Sequence, residues 1–142
     1  MKRLTLILFV ASLNIAGYSY AQQQVDRKGQ TSQSKLEQVI SGYLTELNGK
    51  YKLRVSEITF EPGGYIGEHH HIGPGLRFVT SGELTFVKGD ETTIYKAGDY
   101  YYESGDMTHR AYNKTNSPVL LINFEILPAD WTGPTAVLPK SK

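Results

Sequence analysis

The sequence contains no cysteine, so disulfide staples and a lipid-anchored cysteine are both excluded. Stability has to come from an ordinary core, helped by a metal if one binds. It also lacks any clear basic excess. The whole chain carries a formal charge of +1. Without Lys2 and Arg3, 13 Lys+Arg stand against 14 Asp+Glu, a charge of −1 with histidine neutral. A nucleic-acid partner, whose phosphates call for a basic surface, is therefore not expected. No repeat of solenoid length occurs. Nucleophile-elbow, phosphate-loop and HExxH-type motifs are missing as well. A long apolar run occurs only at the N-terminus, from Leu4 to Ala16, and it is short for a bilayer span.

That run follows the positive pair Lys2-Arg3 and precedes the small-residue pattern Ser19-Tyr20-Ala21. Together they read as a secretory signal over residues 1–21, cleaved after Ala21. The protein is thus expected in the periplasm or outside the cell, with no membrane association after cleavage. At 142 residues, one domain is expected, large enough to bury a core of its own.

Residues 22–35 are rich in Gln and Ser and nearly free of large apolar side chains, and they read as a flexible leader. Leu36 to Leu47 shows helical spacing, but Gly42 interrupts it and Asn48-Gly49, a strong hairpin signal, follows. A strand pair around Asn48-Gly49 is the favoured reading, with Tyr51 to Phe60 as its second member. Beyond it, Pro62-Gly63-Gly64 reads as a turn. Strand-like segments then recur at short intervals: Leu76 to Thr80, Glu83 to Val87, Thr92 to Tyr95, Tyr100 to Tyr102, Thr108 to Asn113 and Val119 to Ile126. Glycine-rich turns separate them. Many short strands so punctuated predict an all-β sandwich or barrel. Residues 128–142, with three prolines, read as an irregular tail that Trp131 could pin to the barrel.

The four histidines are His69, His70, His71 and His109. In an extended segment His69 and His71 share one face while His70 points to the other. Two imidazoles so placed suit one cation, and His109 is the histidine left to complete a trio. Taken singly, each would be an ordinary surface or packed side chain.

The residues around this trio resemble the cupin family. Its first motif, G-x(5)-H-x-H-x(3,4)-E-x(6)-G, is met by Gly63, His69, His71 and Gly82. Its second, G-x(5)-P-x-G-x(2)-H-x(3)-N, is met by Gly98, His109 and Asn113, with Ser104 and Asp106 where proline and glycine are usual. The resemblance covers about Val39 to Ile126. It implies a single-domain jelly-roll barrel over residues 36–127. It further implies one divalent metal (Fe, Mn, Ni, Zn or Cu) on His69, His71 and His109, at the base of a small apolar pocket. The glutamate that usually supplies a fourth ligand is absent, since Gly75 stands there. Thiol dioxygenase-like cupins are similar in using three histidines alone.

If the family's register holds, alternation turns Gly75, Arg77 and Val79 inward. Arg77 is then a candidate catalytic residue that could grip a carboxylate or phenolate, or else a rim arginine. Glu103 is a candidate acid for the cavity, with solvent exposure expected. Glu68 should face away from the ligands, and Asn113 should brace a turn. A small-molecule ligand is implied, with dioxygenase-like or isomerase-like chemistry on a small organic anion. The family also contains non-catalytic binding modules and could include a metal-free interaction barrel. Cupin barrels often pair through edge strands, and Val39 to Leu47 offers such an edge for a homodimer.

Overall fold

The structure, a computed structural model, describes residues 24–139. The segment read as an export signal, residues 1–21, lies outside them. Among the described residues there is no helix; the chain forms nine strands. They are β1 (Arg27–Val39), β2 (Tyr51–His71), β3 (Gly75–Ser81), β4 (Glu83–Lys88), β5 (Glu91–Lys96), β6 (Tyr100–Glu103), β7 (His109–Tyr112), β8 (Val119–Pro128) and β9 (Ala136–Val137). All pairings are antiparallel. The order across the sheet is β5-β4-β7-β2-β8-β3-β6, with β1 and β9 added along β2. This is the expected all-β jelly-roll barrel.

The 21-residue β2 shapes it. Its first half, Tyr51 to Phe60, pairs with β8, and its second half pairs with β7. One strand thus belongs to both sides of the barrel. Pro62-Gly63-Gly64, read from sequence as a turn, bends this strand without ending it. Hydrogen bonds from Gly63 N to Asn113 O and from Asn113 N to Gly64 O carry the pairing through the bend. Between β3 and β4 the chain reverses at Gly82. There φ is +81°, and a Cβ would lie 2.7 Å from the Pro118 carbonyl oxygen, so glycine is required.

The core follows from alternation. Val119, Leu121 and Leu127 point inward from β8, Val79 from β3, and Leu84 and Phe86 from β4. Phe60, Ile66 and Ala111 complete it. Each fully buried aliphatic side chain contributes roughly 1.5–3 kcal/mol.

Two sequence expectations need correction. The flexible leader is not one from Arg27 onward, because that segment is β1, in register with β2 from Arg27↔Ile66 to Val39↔Lys52. Its polar composition misleads because backbone hydrogen bonds hold it to β2 while nearly all its side chains stay exposed. The barrel sheet therefore starts at Arg27 instead of residue 36. The strand pair before Tyr51 exists, but its first member stops at Val39. Residues 40–50 form a longer connection, closed by hydrogen bonds from Ile40 N to Tyr51 O and from Gly49 N to Ile40 O. The tail contains one short ordered element, β9, which pairs with His70 and His71. Trp131 holds the tail's own turn, its indole N–H donating to Gly133 O at 2.9 Å.

Candidate metal centre

Strand β2 presents His69 and His71 to the interior, and the pair His69↔His109 in the β2–β7 ladder brings the third imidazole beside them. One ligand atom from each of His69, His71 and His109 lies within 4.8 Å of the others. His69 and His109 are 2% and 3% exposed. Phe86 stacks on the His109 ring at 4.7 Å between centroids and fixes its plane.

The backbone anchors one nitrogen in two of the rings. His69 Nδ1 lies 2.8 Å from Gly67 O, and His109 Nδ1 lies 3.0 Å from Met107 O. A carbonyl only accepts, so Nδ1 carries a proton in both rings and Nε2 is the nitrogen turned toward the site. His71 Nδ1 faces Glu125 Oε1 at 3.1 Å, close enough for an electrostatic contact although not aligned as a hydrogen bond. Such anchoring of the far ring nitrogen is how metal-binding imidazoles are oriented. Burial, aided by the neighbouring His109 and His71, pushes the His69 pKa down to about 3, so this ring stays neutral and ready to ligate.

Two buried carboxylates join the histidines. Glu103 and Glu125 are 2% and 1% exposed. Glu103 Oε1 is 2.9 Å from His109 Nε2, and its Oε2 is 3.3 Å from His71 Nε2. Arg77 forms a tight ion pair with Glu103 Oε2 and a longer one, 3.4 Å, with Glu125 Oε1. Thr135 donates to Glu125 Oε2 at 3.0 Å. Burial alone raises both carboxyl pKa values. For Glu103, Arg77 and the hydrogen bond and charge of the histidines outweigh it and hold the group well below the usual range. Glu125 is lowered by His71, Arg77 and Thr135 against the same burial. The buried cluster sets one guanidinium, that of Arg77, against two carboxylates.

Three imidazoles converging within 4.8 Å beside buried carboxylate oxygens are what a divalent cation fits. His69, His71 and His109 are the residues to hold it. Imidazole nitrogen and carboxylate oxygen suit several first-row metals and do not select one.

Arg77 lies inside, as alternation predicts, but its guanidinium is taken up by Glu103 and Glu125. Glu103 differs from expectation: it is buried in the site instead of solvated. Along β6, Tyr100 and Tyr102 are 61% and 64% exposed while Tyr101 and Glu103 turn inward. The same alternation that paired His69 with His71 would have found it. Glu125 was missed by sequence reasoning. The signal was a polar break, Asn123 and Glu125, among the inward residues of an apolar strand. Glu68 faces out, near Arg110 at 3.7 Å. Asn113 is structural as read, its side chain bonding Phe60 O, Ser117 O and Thr115. Ser104 donates to Asp106 at 2.5 Å across the turn that these two departures from the motif occupy.

A cavity of about 310 Å³ opens beside the histidines. The apolar pocket implied by the resemblance is in fact mixed. Gln30, Ser32 and Ser34 of β1 wall it together with Ser56 and Asn123, opposite apolar residues such as Phe60 and Leu121. Tyr101, also on the wall, has its phenol pKa pushed well above 10, by burial first and then by the charge of Glu103.

A cupin-domain family model matches residues 56–125. No curated protein matches the sequence. Solved structures similar in fold include a cupin domain from Bordetella pertussis Tohama I, at 19% identity and TM-score 0.53, covering 71% of this chain and 96% of that one. Another is the polyketide cyclase RemF from Streptomyces resistomycificus, at 15% identity and TM-score 0.57, covering 81% and 75%. A third is a conserved protein with a double-stranded β-helix domain from Klebsiella pneumoniae, at 22% identity and TM-score 0.53, covering 75% and 84%. At these identities the likeness is one of fold.

Proposed function

Because this chain belongs to the cupin superfamily, we propose that it holds one divalent metal on His69, His71 and His109 and acts as an enzyme on a small organic anion in its barrel. The observation that carries the reading is the convergence of the three rings. Nδ1 of His69 and of His109 meets a backbone carbonyl, and one ligand atom from each histidine lies within 4.8 Å of the others. A metal bound there would act as a Lewis acid toward a substrate oxygen, with positions left over for that substrate. The chain's own residues do the rest. Phe86 and the anchored Nδ1 atoms keep the imidazoles in place. Arg77 keeps Glu103 and Glu125 ionised and positioned, which makes it a positioning residue for the carboxylates and leaves gripping the substrate to other groups. Ser32, Ser34, Ser56 and Asn123 offer hydrogen bonds to a polar ligand; the buried Asn123 Oδ1 has no partner among the described residues. That the polyketide cyclase RemF uses a similar fold supports catalysis as a use of this barrel without naming the substrate. The N-terminal apolar run supports action outside the cytoplasm.

A second reading, capture of a ligand or metal without reaction, is favoured by one observation. Both carboxylates are engaged by Arg77, so neither stands free as a general base.

The test is elemental analysis of the untagged protein beside His109→Ala. About one equivalent of metal, lost in the variant, is expected. No metal in either protein, even after reconstitution with iron, nickel and manganese, would sink the reading. Given bound metal, oxygen uptake with aromatic and thiol acids separates dioxygenase-like chemistry from mere capture.

A further inference from the structure

We propose that Glu103 is a carboxylate ligand of this metal, supplied from β6 in place of the side chain that Gly75 lacks, so that the site is three histidines and one glutamate. The inference rests on the three-histidine reading above and extends it.

The first support is register. In the ladders on either side of β3, Gly75 is the partner of Glu103 on β6 and of Glu125 on β8. A carboxylate missing at position 75 is thus available from both neighbouring strands at the same level of the barrel. The second is distance. Glu103 Oε1 lies 2.9 Å from His109 Nε2. Its Oε2 lies 3.3 Å from His71 Nε2, so one carboxylate reaches two of the three candidate histidine ligands. Ligands at right angles on one ion, each about 2.1 Å away, stand roughly 3.0 Å apart. The spacing of Glu103 from His109 is that of such neighbours.

The third support is a division of labour. Arg77 takes Glu103 Oε2, which leaves Oε1 for the ion. Glu125 faces the far nitrogen of His71, and Thr135 and Arg77 hold it there. Glu125 therefore orients a ligand, whereas Glu103 reaches two Nε2 atoms directly.

Cobalt(II) is the probe, in the full protein, because its visible spectrum reports its ligand set. Glu103→Gln is expected to lower cobalt affinity by at least about a hundredfold and to change the spectrum. Glu125→Gln is expected to weaken binding within the roughly 10–100-fold range of an orienting partner, with the spectrum kept. Should Glu103→Gln fold poorly, infrared difference spectra of the wild-type protein and Glu125→Gln, with and without metal, give the same answer. A carboxylate stretch that shifts on metal binding in both is expected. Cobalt bound by the wild-type protein and lost in His109→Ala, with an unchanged spectrum in Glu103→Gln or no carboxylate shift, overturns this assignment and leaves the three-histidine site standing. A wild-type protein that takes up no cobalt overturns both.

Discussion

At position 75 the side chain is a hydrogen atom, and the space beside it belongs to Arg77. A Cβ built there meets the Arg77 guanidinium and lies 2.8 Å from Phe124 O, a backbone atom that cannot give way. Restoring the family's usual residue should therefore fail to restore a ligand. Gly75→Glu is expected to displace Arg77, strip Glu103 of its ion pair, lower stability by about 1–3 kcal/mol and weaken cobalt binding. Thermal melts and cobalt titration check it; tighter binding in the variant would refute it. Sequence reading could place the histidine trio because two-residue spacing on a strand needs no partner. It could not place Glu103 and Glu125 against Gly75, because cross-strand register is fixed by pairing between distant segments.

Among the strands, legibility followed the glycines. From β3 to β7 a turn containing glycine marks each segment, and Pro118 marks the start of β8; the observed limits differ from the expected ones by a residue or two. Strand β1 was not readable. Its side chains are almost all exposed, those of Ser32 and Ser34 beside the cavity among them, so its polar composition hides a strand that backbone pairing holds to β2. The bend of β2 was misread for a related reason: Pro62 and glycine end most strands, but here Asn113 continues the ladder across them. Asn113 is 1% exposed, and its amide joins β2 to the turn between β7 and β8. Asn113→Ala removes both its donor and its acceptor bonds and strands their partners, so a loss of about 2–4 kcal/mol is expected in chemical denaturation. Metal stoichiometry should stay at the wild-type value, which separates this bracing role from a part in the site.

For the molecule as a whole, the wall of the cavity is assembled from segments far apart in the chain. Its last pieces are Pro134, Thr135 and Ala136. Ile72 N donates to Thr135 O at 3.0 Å, and Val137 pairs with His70, so the tail is stitched to the segment that carries two of the candidate ligands. Limited carboxypeptidase digestion that stops ahead of Pro134 should leave the strand spectrum in circular dichroism intact while bound cobalt leaks to a chelator; retention equal to that of the uncut protein would count against the tail's part in the site. In the order of synthesis, these residues follow every histidine and both glutamates. The vessel is thus sealed only after all its contents have been laid down, and an ion held there would be a receipt for a chain made through its tail.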